Sequence, residues 1–297
     1  MNITIHRSIF VAIMTGGARI RLIEKLYDIW LKDFLSKSYC DTIKLYSTGV
    51  IPNTNNLFIK KSYVNCQIPS KDISRNHLCA KLYIAINDFL NNSKADWFLR
   101  LCDDTFINMN AFDSFFTELN LNTDPIHDKL VQGHCIHKHR RIYSYIQGGS
   151  GILFSRKSAI ELNNTYDHFS TICLFVKNDD TSIGCWLHDR NYTFKSMTNR
   201  FFVGHQFQNY KKITDILSNT SNIEKCPTVF PTNLYACRSF ITNLKNITFW
   251  HDRVHFLQFL PFARNFISNL PDNLYFYIDQ YAPRVCRGFQ LSDRYLN

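Results

Sequence analysis

A short apolar run that halts at two adjacent carboxylates constrains this chain more than any other stretch. In ADWFLRLCDDTFIN, residues 95–108, Trp97, Phe98, Leu99 and Leu101 have the length and composition of a buried strand, broken only by Arg100. Asp103 and Asp104 then stand at the strand's C-terminal end. In an open α/β sheet that edge is where ligands bind, because strands there deliver side chains to a crevice between loops. Two neighbouring carboxylates repel each other unless a cation or basic group lies between them. Hard oxygen ligands of this kind suit Mg²⁺ or Mn²⁺, which keep several waters and share a substrate's phosphates. Taken alone, the pair equally suits a surface turn.

The flanking sequence alternates strand and helix signals. Ser8 to Met14 reads as a buried strand, Thr15-Gly16-Gly17 as a tight loop, and Ala18 to Leu35 as a helix with Ile20, Ile23, Tyr27, Trp30 and Phe34 at helical spacing. Ile43 to Thr48 makes a second strand, and the polar stretch Asn53 to Asp72 reads as a loop or lid. Ser74 can cap a helix carrying Leu78, Leu82, Ile86, Phe89 and Leu90 on one face; Lys81 lies off that stripe, as a solvated lysine would. A short helix over Ala111 to Leu119 and a strand over Lys129 to Cys135 follow. In YIQGGSGILFS, residues 145–155, Gly148, Gly149 and Gly151 precede an apolar strand and a helix starting at Ser155, so the backbone there passes close to something. Asp179 or Asp180 can cap a helix bearing Ile183, Trp186 and Leu187.

With 297 residues, 45% of them apolar, the chain is long enough for one large α/β domain or two small ones. A formal charge of +10 and a pI near 9.1 favour an anionic partner: a phosphate-bearing molecule, nucleic acid or a membrane surface. Paired zinc-finger spacing, an RNP-type aromatic motif and a long basic helix are missing, so nucleic acid is not expected. No apolar run reaches the roughly 18–20 residues of a membrane span. Ten cysteines are compatible with an oxidising lumen; Cys226 and Cys237 bracket a proline-containing loop and form the best local disulfide pair, while Cys79 and Cys185 also suit the role of small core hydrophobes. His134, Cys135, His137 and His139 suggest zinc, but without a second ligand pair a basic hairpin edge is preferred. Two late apolar runs, FFVGHQF and ITFWHD, carry His205 and His251, and a neutral imidazole suits Mn²⁺ beside a carboxylate.

ADWFL followed by DDTF resembles the metal-binding segment of the Fringe and core-1 β1,3-galactosyltransferase family, glycosyltransferase family 31. The family pattern is Asp-Asp-Asp-Thr-Tyr-Val; Asp103 and Asp104 match its second and third acids, and Cys102 replaces the first. Thr15-Gly16-Gly17 resembles the family's donor loop, Ile29-Trp30 the pair ending the helix after it, Lys81 a lysine near the donor site, and Gly133-His134 a step before a hairpin. Gly148-Gly149-Ser150-Gly151 is similar to a Gly-Gly-Ala-Gly segment beside the donor sugar. Asp179-Asp180 with Gly184 resembles an acidic pair whose second member is the catalytic base. His205 stands where Fringe-type members carry a metal-binding histidine and His251 where core-1-type members do; Cys237 upstream favours His251.

The resemblance covers residues 9–251 and implies a GT-A (Rossmann-like) α/β fold with a mostly parallel sheet flanked by helices. It implies a single catalytic domain, with a nucleotide-sugar half over residues 8–155, an acceptor half over 156–260 and an extension over 261–297. The implied activity is inverting, metal-dependent β1,3-transfer of a hexose, galactose in the core-1 reading, from a UDP-sugar to a glycoprotein O-glycan. Fringe-like transfer of N-acetylglucosamine to O-fucose is the alternative, and Cys102 opens a third reading, a catalytically impaired glycan-binding or chaperone-like homologue. The implied site comprises Asp180 as base with Asp179 beside it; Asp104, Asp103, His251 and His205 toward Mn²⁺ or Mg²⁺; and Thr15, Lys81, Asp103, Gly148, Gly149 and Gly151 toward the donor. The implied partners are the UDP-sugar and a glycoprotein or glycopeptide in the Golgi or endoplasmic reticulum lumen, with membrane attachment only through an anchor outside this chain and a homodimer left open.

Overall fold

The strands that stack side by side at the centre are short apolar runs with both faces covered. The computed structural model describes residues 7–16, 19–49, 53–68, 76–138, 143–176 and 178–192, with short strands between 194 and 286. β1 (Ile9–Met14) is buried along its whole length. The helical run after it comprises α1 (Ile20–Leu26), a π-helical segment Tyr27–Leu31 and α2 (Lys32–Leu35). Then come β2 (Cys40–Ser47), α3 (Leu57–Ser62), β3 (Tyr63–Asn65), α4 (Asn76–Asn92), β4 (Trp97–Cys102), β5 (Thr105–Ile107) and α5 (Met109–Asn122). β6 (Val131–Gly133), β7 (Cys135–Lys138) and β8 (Tyr143–Ile146) lead to a 3-10 turn at Gly148–Ser150, then β9 (Ile152–Ser155), α6 (Arg156–Asn164), α7 (Tyr166–Val176) and α8 (Asp179–Asp189). The short strands are β10 (Phe194–Lys195), β11 (Phe201–Val203), β12 (Phe240–Asn243), β13 (Phe249–His251), β14 (Tyr275–Ile278) and β15 (Val285–Cys286).

The main sheet runs β3-β2-β1-β4-β9-β6, parallel from β3 to β4 and antiparallel through β9 and β6. Successive side chains of a strand point to opposite faces. Ile9, Val11 and Ile13 of β1 accordingly join Trp97, Leu99 and Leu101 of β4 in one core under α1, α2 and α5. Phe10, Ala12 and Met14 join Phe98 in a second core under α4, α6, α7 and α8. Each fully buried apolar side chain of this size contributes roughly 1.5–3 kcal/mol, which is why β1 and β4 carry almost no polar residue. This is the α/β, mostly parallel, helix-flanked architecture that the sequence implies. A second sheet, β11-β13-β5, pairs β13 antiparallel with β5.

Some expectations need correction. The polar stretch 53–72 is not simply a loop, because Asn56 caps α3 by accepting from the Ile59 amide at 3.2 Å, and Ile59 and Tyr63 are buried. The strand over Lys129 to Cys135 breaks at His134 into β6, in the main sheet, and β7, in a hairpin with β8. Cys79 forms a disulfide with Cys173, tying α4 to α7, so it is not a small core thiol; Cys185 is buried. Cys135 is disulfide-bonded as well, which removes its thiolate from the zinc alternative. The side chains of His137 and His139, and all of Cys226 and Cys237, lie outside the described residues. No described helix is long and apolar enough to cross a membrane.

Candidate functional site

From β1 the chain adds β2 and β3 on one side and only later β4 on the other, so the strand order reverses between β1 and β4. A crevice opens at such a switch point beyond the C-terminal strand ends. Met14 pairs with Cys102 as the last rung, and Thr15 and Asp103 follow directly. The Thr15 hydroxyl donates to Asp103 Oδ2 at 2.9 Å, and the Asp103 amide donates to the Met14 carbonyl at 3.2 Å. Lys81 Nζ donates to the Thr15 carbonyl at 2.8 Å. Lys81 is buried, which overturns its reading as a solvated helix-face lysine: its place beside the apolar stripe carries it under the crevice, not out to water. Burial pushes its pKa down, and the Cys66 thiol, Asp103 and Asp179 pull it back up.

The basic group that the acid pair requires is Arg19, just ahead of α1. Its Nη1 lies 2.7 Å from Asp103 Oδ1 and 3.7 Å from Asp104 Oδ2, and half of the side chain faces solvent. Both carboxylates are buried. Burial and the neighbouring Asp104 raise the Asp103 pKa, against the pull of Arg19 and Thr15. The sequence does not single out Arg19, which is one of two arginines, with Arg21, soon after the Thr15-Gly16-Gly17 loop.

Arg100, which reads as an interruption of the β4 run, is fully buried on the face of the sheet that packs α8. Its Nε and Nη2 donate to Asp179 Oδ2 at 2.9 and 2.6 Å, and its Nη1 donates to the Gly148 carbonyl at 2.6 Å and to Cys102 Sγ at 3.0 Å. Asp179 therefore does not cap α8; Asn178 occupies the N-cap position. Nor does Asp180: one oxygen accepts from the Gly148 amide at 3.2 Å and the other from its own neighbour, the Thr181 amide, at 2.7 Å. Burial and the adjacent Asp179 raise the Asp180 pKa, and Arg100 with the two amides restrains the rise. Asp180 is half-buried, so it can meet an incoming group.

The glycines earn their places individually. A Cβ on Gly148 would meet the Arg100 guanidinium at 2.8 Å, and Gly151 has a φ of 95°, open to glycine and costly for other residues. The Gly149 carbonyl accepts from the Thr105 hydroxyl at 2.7 Å, which in turn accepts from the Cys102 amide at 3.1 Å. Burial raises the pKa of the Cys102 thiol to about 12 although Arg100 opposes it, so this position is uncharged where the family pattern has an acid.

As a metal site, Asp104 is the better-placed carboxylate, because Asp103 already holds Thr15 and Arg19 on its two oxygens. Backbone pairing sets His251 opposite Thr105, the residue after Asp104; its side chain, like all of His205, lies outside the described residues. Among the described residues no three ligating side chains cluster. The Asp104 carboxylate is a hard oxygen donor of the kind that Mn²⁺ or Mg²⁺ takes.

Thr15, Lys81, Asp103 and Asp104 thus meet at the C-terminal ends of β1 and β4, and Arg100 of β4 holds Asp179 and Gly148, whose amide reaches Asp180. A family model described as Fringe-like matches residues 6–206. The chain belongs to the Fringe-like family. The matched span holds every site residue above except His251. No curated protein matches the sequence. Among solved structures, the glycosyltransferase GlyE of Streptococcus pneumoniae TIGR4 is 11% identical, with a TM-score of 0.46, over 90% of this chain and 66% of that one. A glycosyltransferase involved in the glycosylation of the major capsid of PBCV-1 is 12% identical with a TM-score of 0.34, over 56% of this chain and 66% of its own. The galactosyltransferase LgtC is 10% identical with a TM-score of 0.32, over 55% and 65%. This Fringe-like chain spans just under two thirds of each of these three solved chains.

Proposed function

We propose that this chain is an inverting, metal-dependent glycosyltransferase that moves a hexose from a UDP-sugar to a glycan hydroxyl with β1,3 linkage. The observation that carries the reading is that one strand serves both acid pairs: Asp103-Asp104 follow directly on β4, and Arg100 within β4 holds Asp179 and the Gly148 turn, whose amide holds Asp180 at the head of α8. The single displacement needs both. Asp180 takes the proton of the acceptor hydroxyl, the acceptor oxygen forms its bond to the anomeric carbon, and the bond from that carbon to the diphosphate breaks as UDP leaves. A carboxylate whose pKa is raised by burial is a better proton acceptor than an exposed one, provided it stays ionised at working pH. Bound through Asp104 and His251, with Asp103 orienting the pair, Mn²⁺ or Mg²⁺ would supply charge neutralisation for the departing diphosphate. Lys81 and Thr15 shape the wall of the donor crevice, and the glycine turn lets the sugar approach backbone amides.

The ADWFL and ITFWH segments favour galactose and a GalNAc-bearing acceptor, with N-acetylglucosamine on O-fucose second. Residues 8–155 then serve the nucleotide sugar and residues 156–260 the acceptor. The Cys79–Cys173 disulfide and the disulfide-bonded Cys135 support a secretory lumen. The uncharged thiol at Cys102 favours a second reading, a glycan binder with weakened catalysis. A panel of UDP-sugars against GalNAc-peptide and fucose-peptide, with and without Mn²⁺, tests both. Metal-dependent transfer to either peptide supports the enzyme; peptide binding with no turnover of any donor supports the binder.

A further inference from the structure

A buried ion pair is a weak source of net stability, because the cost of desolvating both charges offsets their attraction. The Arg100–Asp179 pair therefore calls for another reason to exist. Its guanidinium sits inside a closed ring of contacts: Nε and Nη2 hold Asp179 at the first turn of α8, Nη1 holds the Gly148 carbonyl, and the amide of that same Gly148 holds the carboxylate of Asp180. The α-carbon of Gly148 is packed between the two, since a Cβ there would lie 2.8 Å from Arg100 Nη1 and 3.1 Å from Asp180 Cβ. Three separate parts of the chain, β4, the glycine turn and α8, thus share one rigid fork. A planar guanidinium with donors in fixed directions can impose such an angle, and a lysine ammonium cannot.

We propose that Arg100 is the positioning residue of the catalytic base, fixing the head of α8 against the glycine turn so that the Asp180 carboxylate meets the acceptor at one distance and angle. The proposal rests on the reading of Asp180 as the base. Arg100 is fully buried, so the proposal assigns it no contact with the donor. Its charge has a second effect, because the groups facing Asp180 are its neighbour Asp179, Arg100 from β4, and the Gly148 and Thr181 amides. Asp179 opposes ionisation of Asp180, and Arg100 favours it.

Those opposite signs make the test. Wild type, R100K, R100Q, D179N and K44Q are compared for thermal stability, for affinity toward UDP with Mn²⁺, and for the pH dependence of kcat. K44Q is the control for stability alone, since Lys44 pairs with Asp88 of α4 at 2.8 and 2.7 Å and touches nothing in the site. R100K keeps the charge and loses the fork; kcat is expected to fall at least about 10-fold, as misplacement of a reacting group costs, with UDP affinity within about twofold and the acid limb unmoved. R100Q is expected to move the acid limb to higher pH and D179N to lower pH, while K44Q moves only the melting temperature. R100K with wild-type kcat, or acid limbs that stay in place in both R100Q and D179N, overturns the proposal. A loss in R100K matched by an equal loss of UDP affinity also overturns it, because the residue then serves the whole fold. Should R100Q fail to fold, R100K and D179N decide. A wild-type protein that neither binds UDP nor transfers sugar would instead sink the glycosyltransferase reading itself.

Discussion

Replacing Gly148 with alanine tests how firmly the turn is clamped. The new Cβ would lie 2.8 Å from Arg100 Nη1, 3.1 Å from its Cζ and 3.1 Å from Asp180 Cβ, all closer than ordinary contact. None of these atoms is the loose end of a flexible chain: the guanidinium is pinned by Asp179, and the Asp180 Cβ belongs to the first turn of α8. Overpacking a rigid site costs about 1–3 kcal/mol, and lengthening the charged hydrogen bond from Arg100 to the Gly148 carbonyl adds about 1 kcal/mol of its roughly 1.5–3 kcal/mol worth. The sum is about 2–4 kcal/mol, which for a domain this size lowers the melting temperature by about 2–4 °C per kcal/mol, or about 4–16 °C altogether. Turnover should fall about 10–100-fold, because Asp180 is pushed off its line of approach. Calorimetry and a transfer assay on G148A give both quantities, with the melting temperature of G16A as the comparison for stability, since an added Cβ there meets nothing within 4 Å. G148A melting within about 1 °C of wild type with full turnover would refute the clamped turn.

Asp180→Asn should lower kcat by about 10²–10⁴, the range for a general base, while UDP titrated calorimetrically in the presence of Mn²⁺ binds as before; loss of UDP binding instead would place Asp180 in the donor site. Asp103 carries a pKa raised above its unfolded value by burial and Asp104, so holding its charge costs stability: the cost is absent below the ordinary carboxylate range and grows as pH rises through the raised pKa. D103N is therefore expected to melt above wild type at pH 7, with the gap closing toward pH 4 and with weaker Mn²⁺-dependent UDP binding; a variant less stable at neutral pH would contradict this. Cys79 and Cys173 lie 94 residues apart, a span for which loop closure is worth about 4–5 kcal/mol. The C79S/C173S variant should unfold at lower denaturant concentration, and reduction should destabilise wild type more than the variant, which keeps the disulfide at Cys135; equal stability of the two oxidised proteins would remove the Cys79–Cys173 disulfide from the fold's support.

Much of the fold was legible because β1 and β4 are short apolar runs with opposite faces in two cores, a pattern few other structures accommodate. Thr15 and the acid pair were legible for a related reason, since the end of a buried strand is where polar residues begin. What escaped was the third dimension of the polar contacts. Arg19 and Arg100 are single cations whose partners are 84 and 79 residues away in sequence, and no local pattern marks such a pairing. Lys81 was misjudged because a helix position beside an apolar stripe does not reveal whether it faces water or a neighbouring strand end. Asp179 and Asp180 carry the residue type of helix caps, yet tertiary partners claimed both side chains.

The pairing of Phe249–His251 with Thr105–Ile107 sets an order on how the molecule is made. The ribosome must add 147 residues after Asp104 (251 − 104) before the strand that flanks it exists. At about 5–20 residues per second this is a delay of roughly 7–30 s. Through that interval β5, beside the two carboxylates, is without the strand that pairs with it in the finished fold.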